Sequence, residues 1–384
     1  MSGRSFDVCV VGAGAFGAWA AHALASAGRG VLLLDAYGAA NSRSSSGGES
    51  RVIRVGYGAE EFYTRWAARS LTLWQELFER AGRPELFRRT GVLWLARADD
   101  RLAADTLSTL GRLGVPAERL SREEVAHRFP QFNTAPDSWA ILEAESGVIL
   151  ARRAVRLVVE EAKRLGCEYR VAHAAAPEGR GRAAAVKTSD GETVSAGHFV
   201  YACGPWLPKV FPQILAGRIN PTRQEVYFFG PPAGDARFRP DAMPAWVDWR
   251  AEVYGLPDLE SRGVKIALDR HGAEFDPDTS ERVPAAATLQ EVRQLLAERL
   301  PALAGAPLVE SRVCQYENTS NGDFLIDRHP AFENVWLVGG GSGHGFKHGP
   351  AVGSYVAELL TEGGATEPRF SLATKERVRR RTVF

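Results

Sequence analysis

The sequence predicts an α/β fold of two domains, one built on a parallel sheet with flanking helices and the other on a mainly antiparallel sheet. The parallel sheet is predicted from an apolar strand at 6–11, an alanine-rich helix at 15–27 and a second apolar strand at 30–35. Together these form a βαβ unit with a right-handed crossover. The antiparallel sheet is predicted from residues 221–270, which alternate and are rich in aromatic and β-branched residues.

The remaining elements are divided between the two predicted domains. Helices are expected at 60–81, 99–124, 151–165, 289–300 and 350–360, and strands at 91–96, 199–204 and 334–338. No repeat or low-complexity linker is found, so the chain is expected to cross between the domains several times. We assign a nucleotide-binding domain to residues 1–85, 142–217 and 318–384, and a substrate domain to residues 86–141 and 218–317.

The composition argues against several classes of partner. Of the 384 residues, 45% are hydrophobic and 24% are charged, the usual balance of a soluble globular protein. The net charge of +1 gives no reason to expect nucleic acid or an anionic membrane surface as partner. No run approaches the length of a membrane span, and residues 1–7 lack the apolar stretch of a secretory signal, so a cytoplasmic location is expected.

The cysteine pattern argues against a disulfide framework or a thiolate metal site. Cys9, Cys167, Cys203 and Cys314 are widely spaced and form no CxxC pair, which fits a reducing cytosol. Cys9 and Cys203 are interpreted as structural thiols, and Cys167 as a structural or surface thiol. Cys314 differs because Arg312 and polar residues surround it in the sequence and favour a thiolate. The alternative is a half-buried structural cysteine.

The first βα turn contains Gly12-x-Gly14-x-x-Gly17. The first glycine permits a tight turn, the second lets a pyrophosphate approach the backbone, and the third lets helix and strand pack closely. The start of the helix offers N–H groups and a partial positive charge to the phosphate. Asp35 ends the second strand, where an acidic residue accepts hydrogen bonds from a ribose. The pattern predicts a bound dinucleotide and leaves NAD and FAD as alternatives.

The polar loop after the second strand supplies further candidates. Its hydroxyl residues Ser45, Ser46 and Ser50, with neighbouring glycines, suit a backbone that wraps around a phosphate or the edge of a flavin. Of Arg51 and Arg54, one would serve the cofactor and the other an anionic substrate, since a guanidinium pairs bidentately with a carboxylate. The alternative is a pair of solvated surface arginines.

A second glycine-rich segment covers residues 339–347. Because glycine has the largest ordering cost, five glycines in the first seven positions suit close backbone approach to a planar ligand rather than stability. The alternative is a plain glycine-rich turn. The residues singled out here for cofactor binding are Gly343, His344, Gly345, Phe346 and Lys347.

Lys265 lies in an otherwise apolar stretch, residues 263–268. A lysine there is costly unless its ammonium group is paired, solvated or functional. The alternative is a surface lysine on an edge strand, with its head in water.

Over residues 6–360 the chain resembles the monomeric sarcosine oxidase and N-methyltryptophan oxidase group of FAD-dependent amine oxidases, within the D-amino acid oxidase superfamily. The resemblance implies FAD joined at its 8α-methyl group to the sulfur of Cys314, with Arg51 close over the flavin ring. The most specific matching segments are residues 50–54, 313–316, 324–330 and 341–347, and shorter ones are 89–93, 202–206 and 223–225.

For the substrate, the resemblance implies that Arg54 and Lys347 grip a carboxylate and that Tyr254 and Tyr316 border the pocket. It also implies that Lys265 holds a water near flavin N5 and promotes the reaction of reduced flavin with oxygen. A fixed cation is suited to this role because it stabilises the negative charge that develops there.

One position departs from the family pattern. Four residues after Lys265, where the family often has a histidine, this chain has Asp269, followed by Arg270. An aspartate there disfavours a simple N-methyl amino acid and favours a substrate with an extra cationic or hydroxyl group. Alternatively, Asp269 pairs with Arg270 and leaves the pocket.

The resemblance implies a monomeric oxidase of secondary amines, such as N-methyl or cyclic amino acids, that uses molecular oxygen and gives an imine and hydrogen peroxide. Four alternatives remain: a flavin amine dehydrogenase, a biosynthetic flavin oxidase with an atypical amine substrate, a nicotinamide-dependent dehydrogenase and a non-catalytic flavoprotein. The joint presence of Arg54, Lys265 and Lys347 weighs against the last of these.

Overall fold

The computed structural model describes residues 5–378. The strands in this range are β1 Ser5–Val11, β2 Val31–Asp35, β3 Arg51–Ile53, β4 Phe87–Arg88, β5 Val92–Arg97, β6 Glu118–Ser121, β7 Ser138–Glu143, β8 Gly147–Ile149, β9 Glu168–Val171, β10 Ala185–Lys187, β11 Thr193–Tyr201, β12 Ile219–Phe229, β13 Ala245–Asp248, β14 Val253–Leu256, β15 Val264–Leu268, β16 Leu308–Thr319, β17 Leu325–Arg328 and β18 Val335–Gly339.

The α-helices in the same range are α1 Ala15–Ser26, α2 Glu61–Arg80, α3 Arg101–Arg112, α4 Arg122–Arg128, α5 Ala151–Arg164, α6 Leu207–Val210, α7 Pro212–Leu215, α8 Ala286–Arg299 and α9 Gly349–Thr361. Short 3-10 helices lie at Pro84–Leu86, Gly204–Trp206, Ala236–Phe238, Pro301–Leu303, Gly345–His348, Pro368–Phe370 and Leu372–Thr374. None of these helices combines the length and the apolar character that a membrane crossing needs.

The first sheet has the order β17-β18-β11-β1-β2-β9, with β10 on β11. Strands β18, β11, β1, β2 and β9 are parallel, and β17 and β10 pair antiparallel at its margins. Strands β1 and β2 are buried almost throughout, as a sheet covered on both faces requires. Helix α1 packs against α5 and α9 on one face. The predicted parallel α/β domain core is confirmed.

The second sheet has the order β16-β12-β15-β14-β13-β5-β7-β6. Its pairs are antiparallel except β13 with β5, so the prediction of a mainly antiparallel sheet is confirmed. One face packs on α8 in a core that includes Tyr227, Ile266 and Val292. The opposite face carries Val226, Ala267 and Tyr254, which form a small separate cluster. This second face adjoins the candidate site.

Two sequence predictions differ from the structure. The expected helix at 99–124 is interrupted, because α3 ends at Arg112, Gly114 adopts a left-handed φ of 67° and Pro116 follows, so the chain enters β6 before α4 begins. The expected strand at 199–204 ends at Tyr201. Beyond it, Gly204 has a φ of 53° and opens a 3-10 turn.

Candidate active site

A cavity of about 570 Å³ lies where β1, β2, β9, β11 and β18 end. Gly12, Asp35, Ala172, Ala202 and Val338, at or near the carboxyl ends of these strands, line it. Ligands of open parallel sheets bind at this edge, where the chain turns away into loops. The position of the cavity is therefore the one that the predicted dinucleotide site requires.

The glycine turn forms one wall of this cavity. Gly12 has a φ of 107°, and a Cβ there would lie 2.3 Å from the Ala202 carbonyl oxygen. A Cβ on Gly17 would lie 1.8 Å from the Gly12 oxygen, so both positions exclude a side chain. Gly14 is the N-cap residue directly before α1, and within residues 5–378 no side chain caps the first N–H groups of this helix. The turn therefore offers open backbone and helix N–H groups to an anionic ligand.

Asp35 lines the same cavity, and its carboxylate also orders the turn. Its two oxygens accept hydrogen bonds from Ala13 N at 2.7 Å and from Tyr37 N at 2.9 Å. Burial raises the pKa of the carboxyl, and these backbone donors oppose the rise. Carboxylate oxygens have further acceptor capacity, so the contacts leave room for a ribose hydroxyl.

The loop at 41–50 wraps around the far end of the cavity. Ser45 and Ser46 line the wall, whereas Ser50 contributes its carbonyl oxygen to Lys265. Ser45 also accepts a 2.6 Å hydrogen bond at its carbonyl oxygen from Arg51. The loop therefore contributes backbone as much as hydroxyl groups.

Cys314 and Arg51 meet at this end. Arg51 Nη2 lies 3.4 Å from Cys314 Sγ, and Arg51 is also bound to Ser50 O at 2.9 Å. Arg312, which the sequence analysis placed beside Cys314, instead pairs with Glu49 at 3.1 Å. The cation that faces the sulfur is therefore Arg51, which lies 263 positions away in the chain.

A small chamber of about 70 Å³ adjoins the cavity and shares Arg51, Tyr316, Gly343 and Phe346 with it. The glycine at 343 is needed for this packing, since its φ is 81° and a Cβ would lie 2.8 Å from the Tyr316 ring. The other predicted residues that the chamber brings together are Arg54, Tyr254, Asp269, Cys314, His344 and Lys347.

Two buried cations lie in the wall of the chamber. Arg54 and Lys347 are each 4% exposed. The Arg54 guanidinium lies 4.6 Å from the ring centre of Tyr57, 4.9 Å from that of Trp94 and 5.0 Å from that of Trp249. Lys347 Nζ donates to the Tyr57 hydroxyl at 2.6 Å. Burial lowers the pKa of Lys347 well below its usual value, and Arg54 adds to the effect.

Asp269 stays in the chamber. Its Oδ1 accepts a 2.9 Å hydrogen bond from the Tyr316 hydroxyl. Arg270 pairs with Glu291 at the surface, so the alternative pairing of Asp269 with Arg270 is wrong. Burial raises the pKa of Asp269 to about 6, against the opposing influence of Tyr316 and the two cations of the chamber.

Lys265 is 2% exposed but lies outside the lining of the chamber. Its Nζ donates to Ser50 O at 2.9 Å and lies 5.6 Å from the Tyr254 ring centre. Burial, with Arg51 as a second cause, lowers the pKa of this ammonium group well below its usual value. The interpretation as a solvated edge-strand lysine is therefore wrong.

The antiparallel sheet explains why these residues meet. Tyr254 pairs with Ala267, and Lys265 and Asp269 lie two positions to either side of Ala267, so the register places all three side chains on one face. On β16, Cys314 and Tyr316 alternate in the same way. The face that avoids the α8 core thus becomes the roof of the chamber.

Several residues of the site were not predicted from the sequence. Glu143 holds the backbone beside Arg54 by accepting from Val55 N at 2.7 Å and Gly56 N at 3.0 Å. Glu317 lines the cavity, and burial raises its pKa to about 7. Its position directly after the matching segment 313–316 was the available signal. Nothing in the local sequence marks Glu143 or Trp249 as neighbours of Arg54.

Comparison with known proteins decides the family. A family model described as FAD dependent oxidoreductase matches residues 7–359. The chain belongs to the FAD-dependent oxidoreductase family. The predicted family membership and fold class are therefore confirmed.

The curated relatives narrow this assignment. This FAD-dependent oxidoreductase is 32% identical to the monomeric sarcosine oxidase of Streptomyces avermitilis over 374 residues, which cover 95% of this chain and 96% of the relative. It is 28% identical to the N-methyl-L-tryptophan oxidase of Salmonella agona, over 92% of this chain and 94% of that protein. The protein is an FAD-dependent amine oxidoreductase of the sarcosine oxidase family, as predicted.

The fold is also found in solved structures. The L-proline dehydrogenase from P. horikoshii superposes with a TM-score of 0.84 at 23% identity, covering 96% of this chain and 97% of that one. At this level of identity the likeness shows the fold alone.

The residues present fit FAD as the dinucleotide. The glycine turn would meet the pyrophosphate, and the cavity continues from there to Arg51, Tyr316 and Phe346, which also border the small chamber. A planar ring system at that end of the cavity would border the small chamber, whose wall contains the two buried cations. This continuity is what a flavin that reacts with a small substrate requires.

Proposed function

We propose that this flavoenzyme oxidises a secondary amine that carries a carboxylate, an N-methyl or cyclic amino acid, to the imine, with molecular oxygen as acceptor and hydrogen peroxide as product. The proposal depends above all on the two buried cations, Arg54 and Lys347, in the wall of a chamber that adjoins the cofactor cavity. The sarcosine and N-methyl-L-tryptophan oxidases to which the chain is similar agree with a substrate of this kind.

Arg54 and Lys347 would bind the substrate carboxylate. Two buried positive charges are costly unless anions join them, and Asp269 interacts electrostatically with both, while Glu143 also acts on Lys347. A substrate carboxylate would add a further negative charge beside them. Holding the carboxylate at one end of a small chamber orients the amine end toward the cofactor cavity.

Gly12, Gly14 and Gly17, with Asp35 and the loop that contains Ser45 and Ser46, would hold FAD. When bound, FAD accepts the hydride equivalent from the amine C–H bond and returns two electrons to oxygen. The protein supplies the position of the substrate and the charges around it. Gly343, Gly345 and Phe346 would contribute the close backbone and ring contacts at the chamber end.

Cys314 would carry FAD covalently through a thioether at its 8α-methyl group. Arg51 supports this role because a guanidinium beside the sulfur stabilises the thiolate as it forms. Forming the C–S bond removes two electrons and two protons from the thiol and the methyl group together. Oxygen, the proposed acceptor of the enzyme, takes them.

Lys265 would promote reoxidation by oxygen. Its ammonium group is buried against a backbone carbonyl and the face of Tyr254, so it presents a fixed positive charge without an acidic partner among its hydrogen bonds in the described range. A fixed cation stabilises superoxide-like negative charge as electrons pass to oxygen. No proton needs to leave the lysine for this effect.

Asp269 would select the substrate. One of its oxygens is bound to Tyr316, and the carboxyl group lines the chamber together with Tyr254 and Trp249. An acid between aromatic rings favours a cationic or hydroxyl group on the ligand. We therefore expect a substrate that is more polar than sarcosine, such as a secondary amino acid with an additional hydrogen-bond donor.

The test is anaerobic bleaching of the bound flavin against a panel of amines. The panel contains sarcosine, N-methyl amino acids, proline, pipecolate, D-amino acids and secondary amino acids with an extra cationic group. We expect bleaching by carboxylated secondary amines, followed by rapid recovery of colour and peroxide on admission of air. Absence of bleaching by every carboxylated amine contradicts the proposal, and slow recovery in air supports an amine dehydrogenase instead.

Three further predictions accompany this proposal. The chain would act as a monomer, which sedimentation of the holoenzyme tests. The cytoplasmic location and the assignment of residues 86–141 and 218–317 to a substrate domain stay predictions. Limited proteolysis of the holoenzyme, with cleavage sites mapped against these boundaries, tests the latter.

A further inference from the structure

Beneath the small chamber lies a buried series of hydrogen-bonded polar side chains, and beyond its first member the proposed reaction does not use it. It starts at Lys347, whose Nζ donates to the Tyr57 hydroxyl at 2.6 Å. The same hydroxyl lies 3.1 Å from His344 Nδ1 and 2.8 Å from His348 Nε2. His344 Nε2 lies 3.0 Å from the carbonyl oxygen of Gly322. Tyr57 is 1% exposed and His348 is 0% exposed, so water does not reach either side chain.

The direction of each hydrogen bond follows from the groups at the two ends of this series, the Lys347 ammonium group and the Gly322 carbonyl oxygen. A carbonyl oxygen only accepts, so His344 Nε2 carries a proton toward Gly322. Burial lowers the pKa of His344 well below its usual value, and Lys347 is the second cause, so the ring is neutral. His344 Nδ1 is then an acceptor and takes the single hydrogen of the Tyr57 hydroxyl.

The contact between Tyr57 and His348 is thereby determined. Tyr57 has already donated its hydrogen to His344, so His348 Nε2 must carry a proton and donate to the hydroxyl oxygen. The oxygen then accepts from Lys347 and from His348 and donates to His344. All three hydrogen-bonding capacities of the hydroxyl are used, and its orientation is set from three sides.

The second ring nitrogen of His348 adds an independent observation. Its Nδ1 is buried, and no group among residues 5–378 pairs with it. An unpaired buried polar atom lowers stability, so packing alone favours an apolar ring at this position. A histidine there is explained by its Nε2–H, which supplies the donor that Tyr57 lacks.

We propose that His348 is a positioning residue that fixes the Lys347 ammonium group for the substrate carboxylate, acting through the Tyr57 hydroxyl. His348 does not line the chamber, whereas Lys347 does. His348 therefore sets where the positive charge of Lys347 lies without itself touching the ligand. This inference rests on the proposed role of Lys347 in carboxylate binding.

The experiment compares His348→Phe with the unchanged holoenzyme. Each is assayed with the best carboxylated amine of the panel and with the amide of that amine, which lacks the negative charge. Losing an orienting hydrogen bond next to a charged group is expected to raise the KM for the carboxylate roughly tenfold, with kcat nearly unchanged. The KM for the amide should stay the same, because the amide does not depend on the position of the lysine charge.

Two further variants separate positioning from folding. His348→Gln keeps an N–H donor near the Nε2 position and should restore most of the affinity for the carboxylate. Tyr63→Phe is the matched control, since the Tyr63 ring stacks on Tyr57 at 5.4 Å but its hydroxyl donates to Asp323 at 2.8 Å, outside the chain to Lys347. It removes a buried hydroxyl from the same cluster and should leave the KM for both ligands unchanged.

A second measurement does not need a variant to fold. Holoenzyme labelled with ¹⁵N-histidine should show His344 and His348 as neutral rings, each protonated at Nε2. A proton on His348 Nδ1 contradicts the inference, as does an equal rise of KM for carboxylate and amide in His348→Phe. If the unchanged enzyme itself shows no preference for the carboxylate over the amide, the proposed function fails instead.

Discussion

The guanidinium of Arg51 donates a hydrogen bond to the sulfur of Cys314 across 3.4 Å. Arg51 is itself bound to the carbonyl oxygens of Ser45 and Ser50, so the loop at 41–50 holds the cation in place. The pair lies where the large cavity and the small chamber meet, since Arg51 lines both. The contact links this loop, which we propose to hold the cofactor, to the roof of the chamber.

Replacing this sulfur should release the flavin. After acid precipitation of the unchanged protein, we expect the yellow colour in the pellet, because a thioether survives denaturation. Cys314→Ser should move the colour to the supernatant. Cys203→Ser is the control, since Cys203 lines the same cavity but burial raises the pKa of its thiol, which keeps it protonated. Colour in the supernatant of the unchanged protein would falsify the covalent link.

Lys265→Met should slow the reaction with oxygen far more than the reaction with substrate. Methionine is similar in size to lysine but uncharged, so the change removes only the buried positive charge. We expect the rate of reoxidation of the reduced flavin to fall about 100-fold. Stopped-flow absorbance measures the two half-reactions separately. Lys347→Met provides the comparison, because it should weaken substrate binding and leave reoxidation almost unchanged. Equal losses of both half-reactions in Lys265→Met contradict a specific role in oxygen activation.

Arg54→Gln should weaken the binding of carboxylated amines. The side chain is buried among Tyr57, Trp94 and Trp249, where a charge-assisted hydrogen bond to a carboxylate is strong, so we expect KM to rise about 100-fold. Steady-state kinetics with an amino acid and its amide isolate the contribution of the charge. Arg250→Gln, which removes a surface arginine paired with Asp99, is expected to change neither value. A similar rise for the amide argues against carboxylate binding by Arg54.

The charge of Asp269 should appear in the pH dependence of substrate selection. With a pKa of about 6 the carboxyl is ionised at pH 8 and neutral at pH 5. The KM for substrates with an additional cationic group should therefore rise as pH falls through 6, since the attraction is lost on protonation. Asp269→Asn should show the higher KM at every pH. A pH profile of KM that is the same in both proteins rules out this selecting role.

Asp269 should also make the free energy of unfolding depend on pH, in the direction opposite to that of a salt-bridged acid. Because burial raises its pKa from 3.8 to about 6, the folded protein holds this proton more tightly than the unfolded chain does. The free energy of unfolding therefore falls as pH rises from about 4 to about 6. Asp269→Asn should be more stable than the unchanged protein above pH 6, and the difference should vanish near pH 4. Thermal melting at both pH values measures this, and greater stability of the unchanged protein at pH 8 contradicts it.

Local patterns were enough to predict the βαβ unit, the glycine turn and most helices. Strand β1, helix α1 and strand β2 depend on apolar runs and glycine positions that are close together in sequence, so their prediction is confirmed. The helix expected at 99–124 shows the limit of such patterns. Its charged residues suit a helix, but Gly114 and Pro116 end α3 and β6 then pairs with β7.

By itself, the sequence determined the family, through the resemblance of short segments, and where the glycine turn lies, and it predicted the residues that we propose to carry the chemistry. Only the tertiary structure decided their partners: Arg51 rather than Arg312 beside Cys314, Tyr316 rather than Arg270 beside Asp269, and His348 behind Lys347. The physical reason is that these contacts join segments tens to hundreds of residues apart. These contacts depend on the pairing register of the antiparallel sheet and on the packing of the two sheets, and neither can be predicted from short segments of sequence.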